Sequence, residues 1–124
     1  MPHIDNRDAR SFDIQGVRFT GVASPSRGTG ETAIWRARLT PHTESVLHHM
    51  TREEIIVAVS GTGRVRIGAD AHRLQPGDAF AVPAFTDFRL DCLGDAPFEA
   101  MVVLPVGGRA VIAGEPSFQP PWSL

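Results

Sequence analysis

The stretch that decides the fold is "SVLHHMTREEIIVAVSG", residues 45–61, in which two histidines and two glutamates precede an apolar run closed by a glycine. An apolar, β-branched run bounded by glycine is typical of a β-strand. Side chains alternate between the two faces of a strand. The side chains predicted to share one face are His48, Met50, Glu54 and Ile56. His49 and Glu53 are predicted to lie on the other face. The nearly continuous apolar run 55–59 predicts that both faces of the strand are covered.

The flanking sequence consists of similar short segments. Convincing helical periodicity is absent, and alternating segments recur between Gly, Pro and Asp residues, a pattern typical of an all-β sandwich or barrel. Residues 33–39, "AIWRARL", and residues 64–68, "RVRIG", alternate cleanly with arginines on the outer face. The arginines concerned are Arg36, Arg38, Arg64 and Arg66. We interpret them as solvated, and the alternative is that they form an anion-binding patch across a dimer. Because so many antiparallel strands must hide their edges, residues 1–124 are predicted to form a single jelly-roll or barrel domain.

The composition excludes several classes of function. The 124 residues carry a net charge of −2, which does not favour a nucleic-acid partner. All 12 basic residues are arginine, so lysine Schiff-base chemistry is excluded. The chain has no tyrosine, so a tyrosine hydroxyl cannot act as general acid. Cys92 stands alone, so there is no internal disulfide and no cysteine zinc cluster. We find no apolar segment of bilayer length and no signal-peptide pattern, and therefore expect a cytoplasmic protein with no membrane partner.

The middle of the chain resembles the cupin superfamily, which is defined by two motifs, G-x5-H-x-H-x3-E-x6-G and G-x5-P-x-G-x2-H-x3-N. Residues of this chain that match the motifs at their spacing are His48, Glu54, Gly61, Gly77 and Pro83. The resemblance covers about residues 40–105. It implies an all-β, double-stranded β-helix, the jelly-roll barrel of that superfamily.

The positions that carry the chemistry depart from the family pattern. In metal-binding cupins three histidines and the glutamate hold one divalent ion. The departures are His42 and Phe85 in place of glycine, Met50 and Phe88 in place of histidine, and Cys92 in place of asparagine. Only His48 and Glu54 remain of the four ligands. The resemblance therefore implies at most a weakly held divalent metal, which would be Fe, Mn, Zn or Ni.

A register shift would enlarge this ligand set. A β-bulge between His49 and Glu54 would turn His49 inward, next to His48. These three residues would then form a two-His, one-carboxylate set of the kind that binds Fe(II) or Zn. Nothing in the sequence requires such a bulge. His42 and His72 are interpreted as surface or strand-end histidines rather than as further ligands.

We consider two roles for His48 and Glu54 when no metal is bound. They form a hydrogen-bonded pair that satisfies both groups inside an apolar barrel, or they act as catalytic residues with the imidazole as general base. Cupin-fold sugar epimerases resemble this arrangement but add a tyrosine acid, which this chain lacks. The predicted pocket wall, for which simple core filling is the alternative, consists of Trp35, Met50, Ile56, Phe80, Phe88 and Leu90.

Our first hypothesis is a cupin-like enzyme of undetermined reaction, an isomerase, lyase or dioxygenase-like protein, that acts on a small, mostly apolar or carboxylated metabolite. The alternative is a non-catalytic, small-molecule-binding cupin that has lost its metal ligands. The apolar strand faces and the Pro-rich tail predict a homodimer in which strands or tails are exchanged. Phe118 and Trp122 in this tail are predicted to dock on the barrel or on a second subunit.

Overall fold

The computed structural model describes all 124 residues as strands joined by short connections, with two single 3-10 turns at Pro25–Arg27 and Pro121–Ser123. The strands are β1 Ser11–Ile14, β2 Val17–Ala23, β3 Thr32–Leu39, β4 His49–Met50, β5 Glu54–Ser60, β6 Thr62–Ile67, β7 Asp70–Leu74, β8 Ala79–Val82, β9 Arg89–Leu93, β10 Phe98–Pro105 and β11 Ala110–Val111. The predicted all-β class is confirmed, and the arrangement is that of a jelly-roll barrel. No helix in it has the length and apolar character needed to cross a bilayer.

The strands form two main sheets around one core. The larger sheet has the order β1-β2-β3-β10-β5-β8, and the smaller has the order β7-β6-β9, while β11 and β4 pair separately. All neighbouring strands run antiparallel. One cluster of 20 buried apolar residues takes members from both main sheets. The barrel interior therefore lies between these sheets.

Strand alternation accounts for most of this core. In β3 the side chains of Ala33, Trp35, Ala37 and Leu39 are buried, whereas Arg36 and Arg38 are exposed, as the sequence predicts. In β10 burial alternates in the same way from Phe98 to Leu104. The large sheet therefore presents one apolar face to the interior.

Strand β5 departs from the prediction that both of its faces are covered. Glu54, Ile56 and Ala58 are buried, but Ile55 and Val57 are only half-buried and Val59 is 50% exposed. Only the inner face is covered by the protein itself, because no layer lies outside this sheet. The apolar character of the outer face is therefore not explained by the packing of one chain.

Gly61 connects β5 in the large sheet to β6 in the small one. Its φ of 74° lies in the left-handed region, which favours glycine. A Cβ atom at this position would also collide with the carbonyl oxygen of Pro97. Both requirements explain why the apolar strand ends at a glycine.

The arginines of β6 are partly solvated, as predicted, but they also form ion pairs that the sequence does not predict. Asp91 in β9 is buried, and its carboxylate accepts hydrogen bonds from Arg64 Nε at 2.8 Å and from Arg66 Nε at 2.7 Å. The Arg66 guanidinium also pairs with Glu44. These outward-facing arginines therefore join β6, β9 and the loop before β4.

The C-terminal tail docks on its own barrel. Trp122 is buried and stacks on Phe19, with ring centroids 3.9 Å apart, and its ring lies edge-on to Trp35 at 6.3 Å. Residue Phe118 pairs with Ala110 of β11 through two backbone hydrogen bonds. The tail thus closes part of the space between the sheets.

Candidate functional site

A cavity of about 110 Å³ lies between the sheets and is lined mostly by apolar side chains, 16 of 22 residues. The predicted site and pocket residues that line it are Trp35, His48, Met50, Glu54, Ile56, Phe88 and Leu90. The chain bends between β4 and β5, yet the four residues predicted to share a face, from His48 to Ile56, all reach this one space. The four side chains thus line one cavity although the strand predicted to carry them is interrupted.

Phe80 does not line the cavity, and its assignment to the pocket was wrong. Its ring packs against the imidazole of His72, with centroids 4.9 Å apart, away from the cavity wall. His42 is exposed and lies 3.4 Å from Asp95. Neither His42 nor His72 reaches the cavity, as the sequence interpretation expects.

His48 is fixed by backbone pairing with Phe88. The two residues exchange backbone hydrogen bonds, and their rings lie 4.5 Å apart on the cavity side. His48 Nδ1 lies 2.6 Å from the carbonyl oxygen of Val46. Because a carbonyl only accepts, Nδ1 carries the proton and donates it, and Nε2 keeps its lone pair. Burial lowers the pKa of His48 below its usual value, which favours this neutral form.

Glu54 is the first residue of β5 and is only 5% exposed. No protein group donates a hydrogen bond to its carboxyl oxygens, and the cavity wall holds no arginine that would pair with it. Burial raises the pKa of Glu54 to about 8, so the carboxyl group is protonated at neutral pH. The side chain is therefore a hydrogen-bond donor inside an apolar cavity.

The predicted hydrogen-bonded pair of His48 and Glu54 is absent. The Nδ1 atom of His48 is held by the loop carbonyl of Val46, and Glu54 has no protein partner. Both groups border the same cavity, each with free hydrogen-bonding capacity. The arrangement leaves both available to a bound molecule.

The three-residue metal set does not form. His49 points away from the cavity, where its Nδ1 lies 2.9 Å from Asp87 Oδ1, so no bulge turns it inward. The structure brings together no group of three His, Cys, Asp or Glu side chains that would hold a metal ion. Met50 and Phe88 fill the positions of two family ligands and are both buried in the apolar core. The residues present therefore do not fit the four-ligand metal site of the superfamily.

Sequence reasoning missed part of the cavity wall. Residues contributed by the strands at the N-terminus and by the tail are Val17, Phe19, Phe118, Pro120 and Trp122. Glu44 and Ser45, in the loop before β4, also line it. The aromatic residues of the Pro-rich tail were the available signal, because such side chains are rarely left in water.

Comparison with known proteins agrees with this architecture. A family model described as "Cupin domain" matches residues 35–104. No curated protein matches the chain. Among solved structures, the polyketide cyclase RemF from Streptomyces resistomycificus is similar with a TM-score of 0.77 at 14% identity, over 93% of this chain and 88% of that chain. A cupin-superfamily sugar phosphate isomerase from Silicibacter pomeroyi has a TM-score of 0.74 at 18% identity, over 92% and 83%. KdgF from Halomonas sp. has a TM-score of 0.71 at 21% identity, over 84% and 94%.

Proposed function

Because this chain belongs to the cupin domain family, we propose that it is a small-molecule enzyme in which His48 and Glu54 move a proton on a substrate held in the barrel cavity. The observation that carries the proposal is that two neutral groups, His48 and Glu54, line the same cavity. His48 offers the lone pair of Nε2, and Glu54 offers a proton from a carboxyl group. A general base and a general acid are thus present at neutral pH without any further ionisation.

The surroundings strengthen this acid–base pair. Sixteen of the 22 lining residues are hydrophobic, so little competing water or charge surrounds the two groups. In such a medium of low polarity, a hydrogen bond to a substrate oxygen is stronger than it is in water. The backbone pairing of His48 with Phe88 also holds the imidazole in place before a substrate arrives.

The structural comparisons support acid–base chemistry in general but do not identify the reaction. Two of the similar structures are described as an isomerase and a cyclase, which are reaction classes that acid–base groups serve. A divalent metal is not part of this proposal, since His48 and Glu54 alone would hold one weakly. Elemental analysis of the purified protein is expected to find Fe, Mn, Zn and Ni far below one ion per chain.

A non-catalytic binding protein is the second candidate. Phe88 stands at a metal-ligand position of the superfamily, and its ring packs directly on the imidazole of His48. Such apolar replacement is compatible with a cavity that only holds a ligand. A non-catalytic protein would bind a small molecule tightly but would not accelerate its reaction, so replacing His48 or Glu54 would change no reaction rate.

The proposal is tested by proton exchange on small cyclic ketones. In deuterated water the wild-type protein is expected to speed the exchange of protons next to the carbonyl, followed by NMR. His48→Gln and Glu54→Gln should each reduce this rate by about 10²-fold or more, the range for loss of a general acid or base. His72→Gln and Glu53→Gln, outside the cavity, are the matched controls and should keep it. Ketone binding without exchange above the buffer rate would favour the non-catalytic candidate.

A further inference from the structure

The cavity wall carries no cation. All basic residues of the chain are arginines, and none is among the lining residues. Arg64 and Arg66, on the outer face of β6, are already engaged by Asp91 and Glu44. His48 is held neutral by burial, which lowers its pKa more than the hydrogen bond to the Val46 carbonyl raises it. A carboxylate or phosphate inside the cavity would find no opposite charge to offset the loss of its water.

Neither acidic group of the wall offers an anion a positive charge. Glu44 lies at the cavity with its carboxylate paired to Arg66 and Arg89, and Glu54 stands deeper with no partner. Glu54 stays protonated beside an anion and offers it one hydrogen bond but no positive charge. The polar groups that face the cavity are therefore suited to a neutral hydroxyl, which donates to His48 Nε2 and accepts from Glu54, or to a carbonyl oxygen, which accepts from Glu54.

The apolar wall sets the shape of the ligand. Trp35, Phe88 and Trp122 contribute aromatic surface, and Ile56, Leu90 and Val102 contribute aliphatic surface. An apolar cavity of roughly 150 Å³ holds one benzene molecule. The cavity of about 110 Å³ here is smaller than that, so it holds no ligand larger than a single six-membered ring, part of which extends towards the opening.

We propose that the cavity selects an uncharged ring compound, with one hydroxyl or carbonyl oxygen between His48 and Glu54, and rejects its carboxylated or phosphorylated analogues. This inference rests on the proposed function for the position of the ligand oxygen. The predicted selectivity against anions follows instead from the lack of positive charge on the cavity wall. It narrows the substrate class from apolar or carboxylated metabolites to neutral ones.

The test compares cyclohexanol with cyclohexanecarboxylate at pH 7. Both tryptophans of the chain line the cavity, so their fluorescence reports occupancy, and calorimetry gives an independent affinity. The wild-type protein should bind the alcohol at least about tenfold more tightly than the carboxylate, the ratio that corresponds to ~1.4 kcal/mol. Equal or tighter binding of the carboxylate, or failure of the alcohol to bind at millimolar concentration, would overturn the inference.

A charge-introducing variant makes the test specific. Gln15 lines the cavity yet is exposed, so Gln15→Arg adds a cation at the rim without disturbing the core. It should tighten binding of cyclohexanecarboxylate several-fold and leave the alcohol unchanged. Gln75→Arg, at an exposed position away from the cavity, is the control and should change neither. If Gln15→Arg leaves the carboxylate affinity where it was, charge does not set the selectivity. Preference for the alcohol without ketone proton exchange would remove the proposed function and leave this inference standing.

Discussion

Glu54 is the residue whose chemistry depends most on the barrel around it. Its carboxyl group is buried without a protein partner, and burial raises its pKa from 4.5 to about 8. The unfolded chain therefore ionises this group at lower pH than the folded protein does. As a result, Glu54 reduces the free energy of unfolding progressively as pH rises from about 4.5 to about 8, and fully above that value.

Glu54→Gln should remove this pH dependence. The pKa difference corresponds to about 5 kcal/mol, at ~1.4 kcal/mol per pH unit, so the variant should be several kcal/mol more stable than wild type at pH 8 and not at pH 4.5. Urea unfolding between pH 4.5 and 8.5 measures the difference. Glu53→Gln, at the neighbouring exposed position, should follow the wild type throughout. Parallel curves for wild type and Glu54→Gln would show that Glu54 is ionised in the folded protein.

His48 is expected to be a neutral imidazole with the proton on Nδ1. The carbonyl of Val46 accepts a hydrogen bond from Nδ1, and burial lowers the pKa of the ring below 6.5. Because the unfolded chain takes up this proton at a higher pH than the folded protein does, His48 reduces the free energy of unfolding as pH falls below 6.5. Nitrogen NMR of the histidine rings should show a protonated Nδ1 and a bare Nε2 for the signal that is missing in His48→Gln. A proton found on Nε2 at pH 7 would contradict the role of His48 as a base.

The sequence predicts which residues lie at the cavity better than it predicts their hydrogen-bond partners. Alternation predicts His48, Met50, Glu54 and Ile56 on one face, and all four line the cavity although residues 51–53 interrupt the strand. The partner of each polar group depends on distant segments. The sequence could not show that His48 bonds to Val46, that Glu54 has no partner, or that His49 faces Asp87.

Asp91 joins two strands of the small sheet to the loop before β4. Its buried carboxylate accepts bonds from Arg64 in β6 and from both Nε and Nη2 of Arg66. Glu44, in the loop, forms an isolated bridge with Asp91 and accepts from Arg66 as well. Because Glu44 and Ser45 of this loop line the cavity, the network also positions one wall of the site.

Asp91→Asn should destabilise the protein. Breaking a fully buried ion pair costs about 3–5 kcal/mol, and we expect about 2 kcal/mol here because the arginines are 37% and 34% exposed and partly screened. Urea unfolding at pH 7 measures the loss. Asp95→Asn, whose carboxylate is fully exposed, is the matched control and should be neutral. A change below about 0.5 kcal/mol would mean that the network contributes only solvated pairs.

Strands were more predictable than the relations between them. The alternation in residues 33–39 and the end of the apolar strand before Gly61 depend on local sequence, and both are confirmed. In residues 64–68 the outward direction of Arg64 and Arg66 was also correct. Their interpretation as solvated holds only in part, because Asp91, 25 or more residues away in sequence, accepts hydrogen bonds from both of them. A period-2 pattern gives the face of a side chain but not what covers that face.

The outer face of the large sheet is apolar across neighbouring strands. Val103 in β10 pairs with Ile34 in β3 on one side and with Ile55 in β5 on the other, and Met101 pairs with Val57. These side chains are half-buried, and Val59 is 50% exposed. Contiguous apolar surface of this kind commonly marks an interaction site. This also offers a reason for the nearly continuous apolar run of β5, which one chain covers on only one side.

We expect this face to be buried in a homodimer. Sedimentation velocity at micromolar concentration should show the wild-type protein as a dimer. Ile55→Glu places a charge at the centre of the apolar face, where burial of an unpaired carboxylate is costly, and should yield a folded monomer. Arg73→Glu, an exposed position on β7 of the other sheet, changes charge as well and should remain dimeric. A monomeric wild-type protein would contradict the prediction. A dimeric Ile55→Glu would show that the subunits associate through another surface, such as exchanged strands or tails.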